Sequence, residues 1–146
     1  MKLRTIGYEN ATQSAVIDCL KRAGVEVLLD VRAIASSRRA GFSKSLLRAG
    51  LAEAGIDYVH LRGLGTPKAG RQAVRAGHPE EMRRIYEAHL AEPQAQLELA
   101  EAKEIVAERP AALLCYEADA ANCHRRIVAA RLADAIGALE IEDLTA

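Results

Sequence analysis

The run Val25-Glu26-Val27-Leu28-Leu29-Asp30-Val31-Arg32 constrains this chain more than any other feature. A nearly continuous aliphatic and β-branched stretch has no polar face to offer water, so it suits a parallel strand covered on both sides. Similar short apolar runs recur at 2–8 (KLRTIGY), 56–65 (IDYVHLRGLG) and 111–117 (AALLCYE), and 138–144 (ALEIEDL) can add a fifth strand. Helical spacing separates them. Val16, Cys19, Leu20 and Ala23 share a face that Gly24 ends, and Leu47 and Leu51 mark a helix over 43–54. A long helical pattern over 79–108 carries Met82, Ile85, Tyr86 and Leu90, then Leu99, Ala102 and Val106, and Pro93 should break or kink it. A last helix follows Asn122 and buries Ile127, Val128, Leu132 and Ile136. Strands alternating with helices imply right-handed crossovers. The expectation is a single domain over 1–146, a three-layer α/β/α arrangement with a mostly parallel, Rossmann-like sheet of four or five strands.

Composition narrows the function classes. With 146 residues, half of them hydrophobic, the chain can build a core without disulfide staples. Twenty basic residues balance twenty acidic ones, so no overall field holds a polyanion, and any anion site must be local. Aromatic residues make up only 3%, which leaves few stacking platforms for single-stranded nucleic acid. Three cysteines, Cys19, Cys115 and Cys123, with no signal-like N-terminus and no membrane-spanning run, suggest a reduced, cytoplasmic protein carrying thiols.

Parallel sheets place ligands at the carboxyl ends of their strands. Those ends hold Gly7 and Tyr8, Asp30 and Arg32, His60 and Arg62, and Cys115 and Glu117. Residues two apart share a face, so Asp30 aligns with Arg32, Tyr58 with His60, and Cys115 with Glu117. Reactive groups should therefore converge on one rim. The loop after Arg32 adds Ser36, Ser37, Arg38 and Arg39, suited to phosphate or carboxylate, and Lys44 enters a helix that Ser43 would cap. A second basic stretch with Arg62, Lys68, Arg71 and Arg75 reads as a flexible glycine-containing lid. His60 is a candidate acid or base, His89 reads as a core histidine, and His78 as exposed.

The segment LLCYEADAANCHRR (113–126) concentrates the chemistry. With Asn122 as N-cap, Cys123, His124 and Arg125 would occupy the first helical turn, where the dipole lowers a thiol pKa. Cys123 is then the preferred nucleophile, with Cys115 a second thiol, a packed hydrophobe or a support for Glu117. Zinc is the weaker reading, because no C-x-x-C pair is present and neighbouring Cys123 and His124 would diverge on a helix. Cys19 belongs to the core.

The segments TIGYE, LLDVRAIASSRRAGFSK, YVHLRGLG and LLCYEADAANCHRR, in that order and spacing, resemble the family catalogued as domain of unknown function 488 (DUF488). The resemblance spans nearly the whole chain. It marks Gly7, Asp30, Arg32, Ser37, Arg38, Phe42, Tyr58, His60, Leu64, Gly65, Cys115, Glu117, Cys123, His124 and Arg125. Ala35, where the pattern usually has proline, and Thr66, where a second glycine is common, depart from it. The expected function is a small enzyme doing thiol or acid–base chemistry on a small anionic substrate, nucleotide-like compounds included. Cys123, His124, Glu117, Cys115 and His60 would carry the chemistry, and Tyr8, Asp30, Arg32, Ser37, Arg38 and Arg125 would hold the substrate. No cofactor, metal or membrane partner is expected. The alternative is a nucleic-acid-binding or processing factor, or a non-catalytic ligand sensor using the same pocket.

Overall fold

The computed structural model describes residues 1–120 and 123–146. Strand β1 (Lys2–Gly7) leads through α1 (Gln13–Arg22) to β2 (Val27–Asp30), and α2 (Lys44–Glu53) leads to β3 (Asp57–His60). A 3₁₀ turn at Arg62–Leu64 precedes α3 (Lys68–Arg75), α4 (Pro79–Leu90) and α5 (Pro93–Glu108). Then come β4 (Ala111–Cys115), α6 (Arg125–Ile136) and β5 (Glu140–Leu144). The five strands form one all-parallel sheet in the order β3-β2-β4-β1-β5. Helices cover both faces, giving the three-layer α/β/α, Rossmann-like architecture.

Alternation along β2 explains the layering. All four of its residues are buried, yet they feed different cores. Leu28 packs with Ile6 and Leu114 against Val16 and Leu20 of α1 and Leu47 and Leu51 of α2. Val27 and Leu29 point the other way, toward Tyr86 and Leu90 of α4, Ala102 and Val106 of α5, and Val128 and Leu132 of α6. A strand with two apolar faces can only be satisfied this way.

One local expectation needs correction. The stretch read as a flexible lid contains α3, eight residues long, which packs on α4. It escaped notice because only Gly70 and Ala73 of α3 are buried, leaving no apolar stripe to read. As expected, Pro93 breaks the pattern over 79–108 into two helices: the proline starts α5, where its missing N–H is no loss.

At the end of β2 a buried ion pair fixes the rim. Asp30 and Arg32 meet in a two-pronged pair, Nε to Oδ1 at 2.9 Å and Nη2 to Oδ2 at 2.7 Å. Arg32 Nη1 also donates to Tyr8 Oη and to the Phe42 carbonyl, and Tyr58 donates to Asp30 Oδ2. Burial works against the Arg32 charge, but Asp30 and Tyr8 together hold its proton more firmly than in water. Breaking a buried pair strands a charge. Asp30→Ala should therefore lower the unfolding free energy by about 3–5 kcal/mol, whereas Tyr58→Phe, which removes one hydrogen bond to a charged group, should cost about 1.5–3 kcal/mol. Urea unfolding of the two variants checks both the sizes and the order.

Candidate active site

Strand β4 lies between β2 and β1, and its chain leaves differently from theirs. The connections after β1 and β2 run through α1 and α2 on one face, while β4 continues into α6 on the other. Adjacent strands whose connections depart to opposite faces leave a crevice at their carboxyl ends, the usual ligand position in such sheets. Cys115 ends β4 at this crevice. Gly7, paired with it on β1, lets the following loop come close: a Cβ there would sit 1.7 Å from the Glu117 carbonyl oxygen.

The turn into α6 differs from expectation, and Asn122 lies outside the described residues. Helix α6 begins at Arg125, with His124 as the N-cap residue and Cys123 ahead of it. His124 already has helical dihedrals, and its side chain nevertheless meets that of Cys123. Cys123 Sγ and His124 Nδ1 are 3.7 Å apart, and with Cys115 Sγ the three donor atoms lie within 4.8 Å of one another. The expectation of separate thiols holds for Cys19, which is buried and free. Cys115 and Cys123 are bonded, S–S 2.00 Å, although their Cα atoms are 7.4 Å apart, beyond the 4.4–6.8 Å that disulfides usually span.

The surroundings set the chemistry of this group. His124 Nε2 is 2.6 Å from the Val31 carbonyl, which can only accept, so Nε2 carries the proton and Nδ1 presents its lone pair to the sulfurs. Burial pulls the His124 pKa down to about 4, leaving the ring neutral at pH 7. The edge of Tyr86 packs on the imidazole. Arg125, fully buried, donates to Cys115 Sγ at 3.0 Å and to the carbonyls of Glu117 and Ala118. Glu117 Oε2 is 3.5 Å from Cys115 Sγ, and burial raises its pKa against the pull of a backbone hydrogen bond and Arg125. A guanidinium touching Cys115 makes that sulfur, rather than Cys123, the better supported thiolate once the pair is reduced.

A cavity of about 330 Å³ opens on this edge, bordered by Tyr8, Arg32, Ser36, Thr66, Arg71, Arg75, Cys115, Tyr116, Glu117 and His124. Cys123 faces a separate cavity of about 280 Å³ between α3, α4 and α6. Of the other residues singled out from sequence, Asp30 lies beneath Arg32, and Ser37 ties the loop by accepting from Arg39 N and bonding Ser43. His60 donates to the Arg32 carbonyl at 2.8 Å, and Arg38 is exposed; neither borders the cavity. Arg125 is enclosed beneath the loop that follows β4. Two arginines of the cavity wall come from α3, and a signal for them existed: Arg71 and Arg75 are four apart and so share a helical face.

The family model described as Domain of unknown function DUF488 matches residues 12–132. The chain belongs to that family. No curated protein and no solved structure matches it. Within this DUF488 chain the match takes in every residue bordering the crevice cavity except Tyr8. No helix among the described residues is long and apolar enough to cross a membrane.

Gly7 offers a direct check on how the crevice is built. Gly7→Ala drives a methyl into backbone rather than into a flexible side chain, so it should cost at least about 2 kcal/mol of stability. A variant as stable as the parent in denaturant titrations would mean the loop after β4 sits elsewhere.

Proposed function

We propose that this chain is an enzyme acting on a small anionic molecule, nucleotide-like compounds included, bound in the crevice beyond β4. Cys115, Cys123, His124 and Glu117 carry the chemistry. Arg71 and Arg75, with the remaining N–H of Arg32, hold the negative charge. The observation that carries the reading is the convergence on one crevice of the Cys115 sulfur, bonded to Cys123 behind it, a neutral imidazole with its lone pair turned toward the sulfurs, and a carboxyl group of raised pKa. Packing alone gives no reason to bury four such groups together, and perturbed ionisable groups in a cleft are the physical signature of catalysis.

The size and wall of the cavity support the ligand class. About 330 Å³ suits a small molecule. Tyr116, half exposed at the crevice and in edge contact with Tyr8 at 5.4 Å, gives the wall an apolar element beside the arginines. Asp30, Ser37, His60 and Arg125 position this machinery through hydrogen bonds within the chain. Arg38 is on the approach rather than the wall.

Thermal shift with inorganic phosphate, nucleoside monophosphates and sugar phosphates tests the proposal. A ligand at a hundred times its Kd stabilises the fold by about 2.7 kcal/mol. Arg75→Ala should weaken that ligand at least about tenfold, the worth of one charge-assisted hydrogen bond, without unfolding the chain. Cys115→Ser should keep the ligand-induced shift and lose turnover. A panel in which no anion raises the melting temperature would overturn the anionic-substrate reading.

A further inference from the structure

Deepening the active-site reading above, on which this inference rests, we propose that reduced Cys115 and Cys123 together with His124 Nδ1 hold a zinc ion, its fourth position open toward Glu117 and the crevice. Distances decide in its favour. Tetrahedral zinc with Zn–S near 2.3 Å and Zn–N near 2.05 Å puts sulfur and nitrogen about 3.6 Å apart; Cys123 Sγ and His124 Nδ1 are 3.7 Å apart. Glu117 Oε2, 3.5 Å from Cys115 Sγ, borders the open position without filling it. Two zinc-bound sulfurs must stand about 3.8 Å apart. The 7.4 Å between the Cα atoms is wide for a disulfide and leans toward that larger separation.

The second layer of contacts matches as well. A metal-binding histidine ordinarily donates its other N–H to a carbonyl or carboxylate, which fixes the ring and sharpens the ligand. His124 does this to Val31 O at 2.6 Å. Arg125 donates to the Cys115 sulfur from the side. Charge fits too: two thiolates neutralise Zn²⁺, so the ion adds no net charge to a buried centre. Three protein ligands and one exchangeable position is the catalytic arrangement of zinc.

The balance of the binding step is explicit. The disulfide must first gain two electrons from a phosphine and two protons from water, whose oxygen ends on the phosphine oxide, to give two thiols. Each thiol then releases its proton as its sulfur binds Zn²⁺. Cys19, buried on the other face of the sheet, takes no part.

The test uses the full chain, reduced with a phosphine and then freed of excess reductant, titrated with zinc or cobalt(II) alone. One metal per chain is expected by elemental analysis, with thiolate-to-cobalt charge-transfer absorption. Zinc should protect Cys115 and Cys123 from alkylation while leaving Cys19 as reactive as without metal, mapped by mass spectrometry on the unaltered sequence. Cys123→Ser and His124→Gln should lose the stoichiometric metal, and Cys19→Ser should keep it. Absence of charge-transfer absorption, or protection that misses Cys115 or Cys123, would overturn the zinc centre even if the variants fail to fold. Phosphate-induced thermal shifts on the same samples read the anion crevice independently. Zinc without a phosphate response sustains this inference and removes the anionic ligand; a phosphate response without zinc does the reverse.

Discussion

The buried pair of Asp30 and Arg32 is the constraint on which the site depends. It joins the end of β2 to Tyr58 on β3, to Tyr8 beyond β1 and to the Phe42 carbonyl before α2. Those bonds set the backbone of residues 31 and 32, and that backbone does further service. The Val31 carbonyl holds His124, and the Arg32 carbonyl holds His60. The tautomer of the crevice imidazole therefore follows from an ion pair one strand away. Buried charges are tolerated when paired and hydrogen-bonded on every side, as here.

Topology supplies the other half. Because β4 is enclosed by β1 and β2, Cys115 is held at the middle of the sheet, with 1% of its surface exposed. The loop after it turns back over Gly7, and Arg125 fastens that loop from below through the carbonyls of Glu117 and Ala118. One guanidinium thus braces the loop and touches a sulfur. Helix α3, packed on α4, closes the crevice from the side with Arg71 and Arg75.

Much of this was legible from the residues, and the reasons are physical. Parallel strands buried on both faces leave continuous apolar runs, so the sheet and the polar rim at its carboxyl edge could be read. Residues two apart on a strand share a face, which paired Asp30 with Arg32 and Cys115 with Glu117. What could not be read depended on tertiary context. Helix α3 exists by packing on α4 and shows no stripe of its own. Helix α6 starts two residues later than a cap at Asn122 implies, and helix boundaries are the least determined feature of a sequence. Likewise nothing in the spacing says that Arg125 points inward to Cys115 while Arg38 points out.

On the function proposed above, one crevice, built around the end of β4 and walled by α3, takes the anionic ligand. Titrating isotope-labelled protein with inorganic phosphate, while following every backbone amide by nuclear magnetic resonance, examines that claim at residue level. The account predicts that the perturbed amides cluster at residues 8, 32–36, 66–75 and 115–118, on the two walls of the crevice. Shifts confined to the exposed loop at 38–40, or spread evenly over the surface, would contradict it.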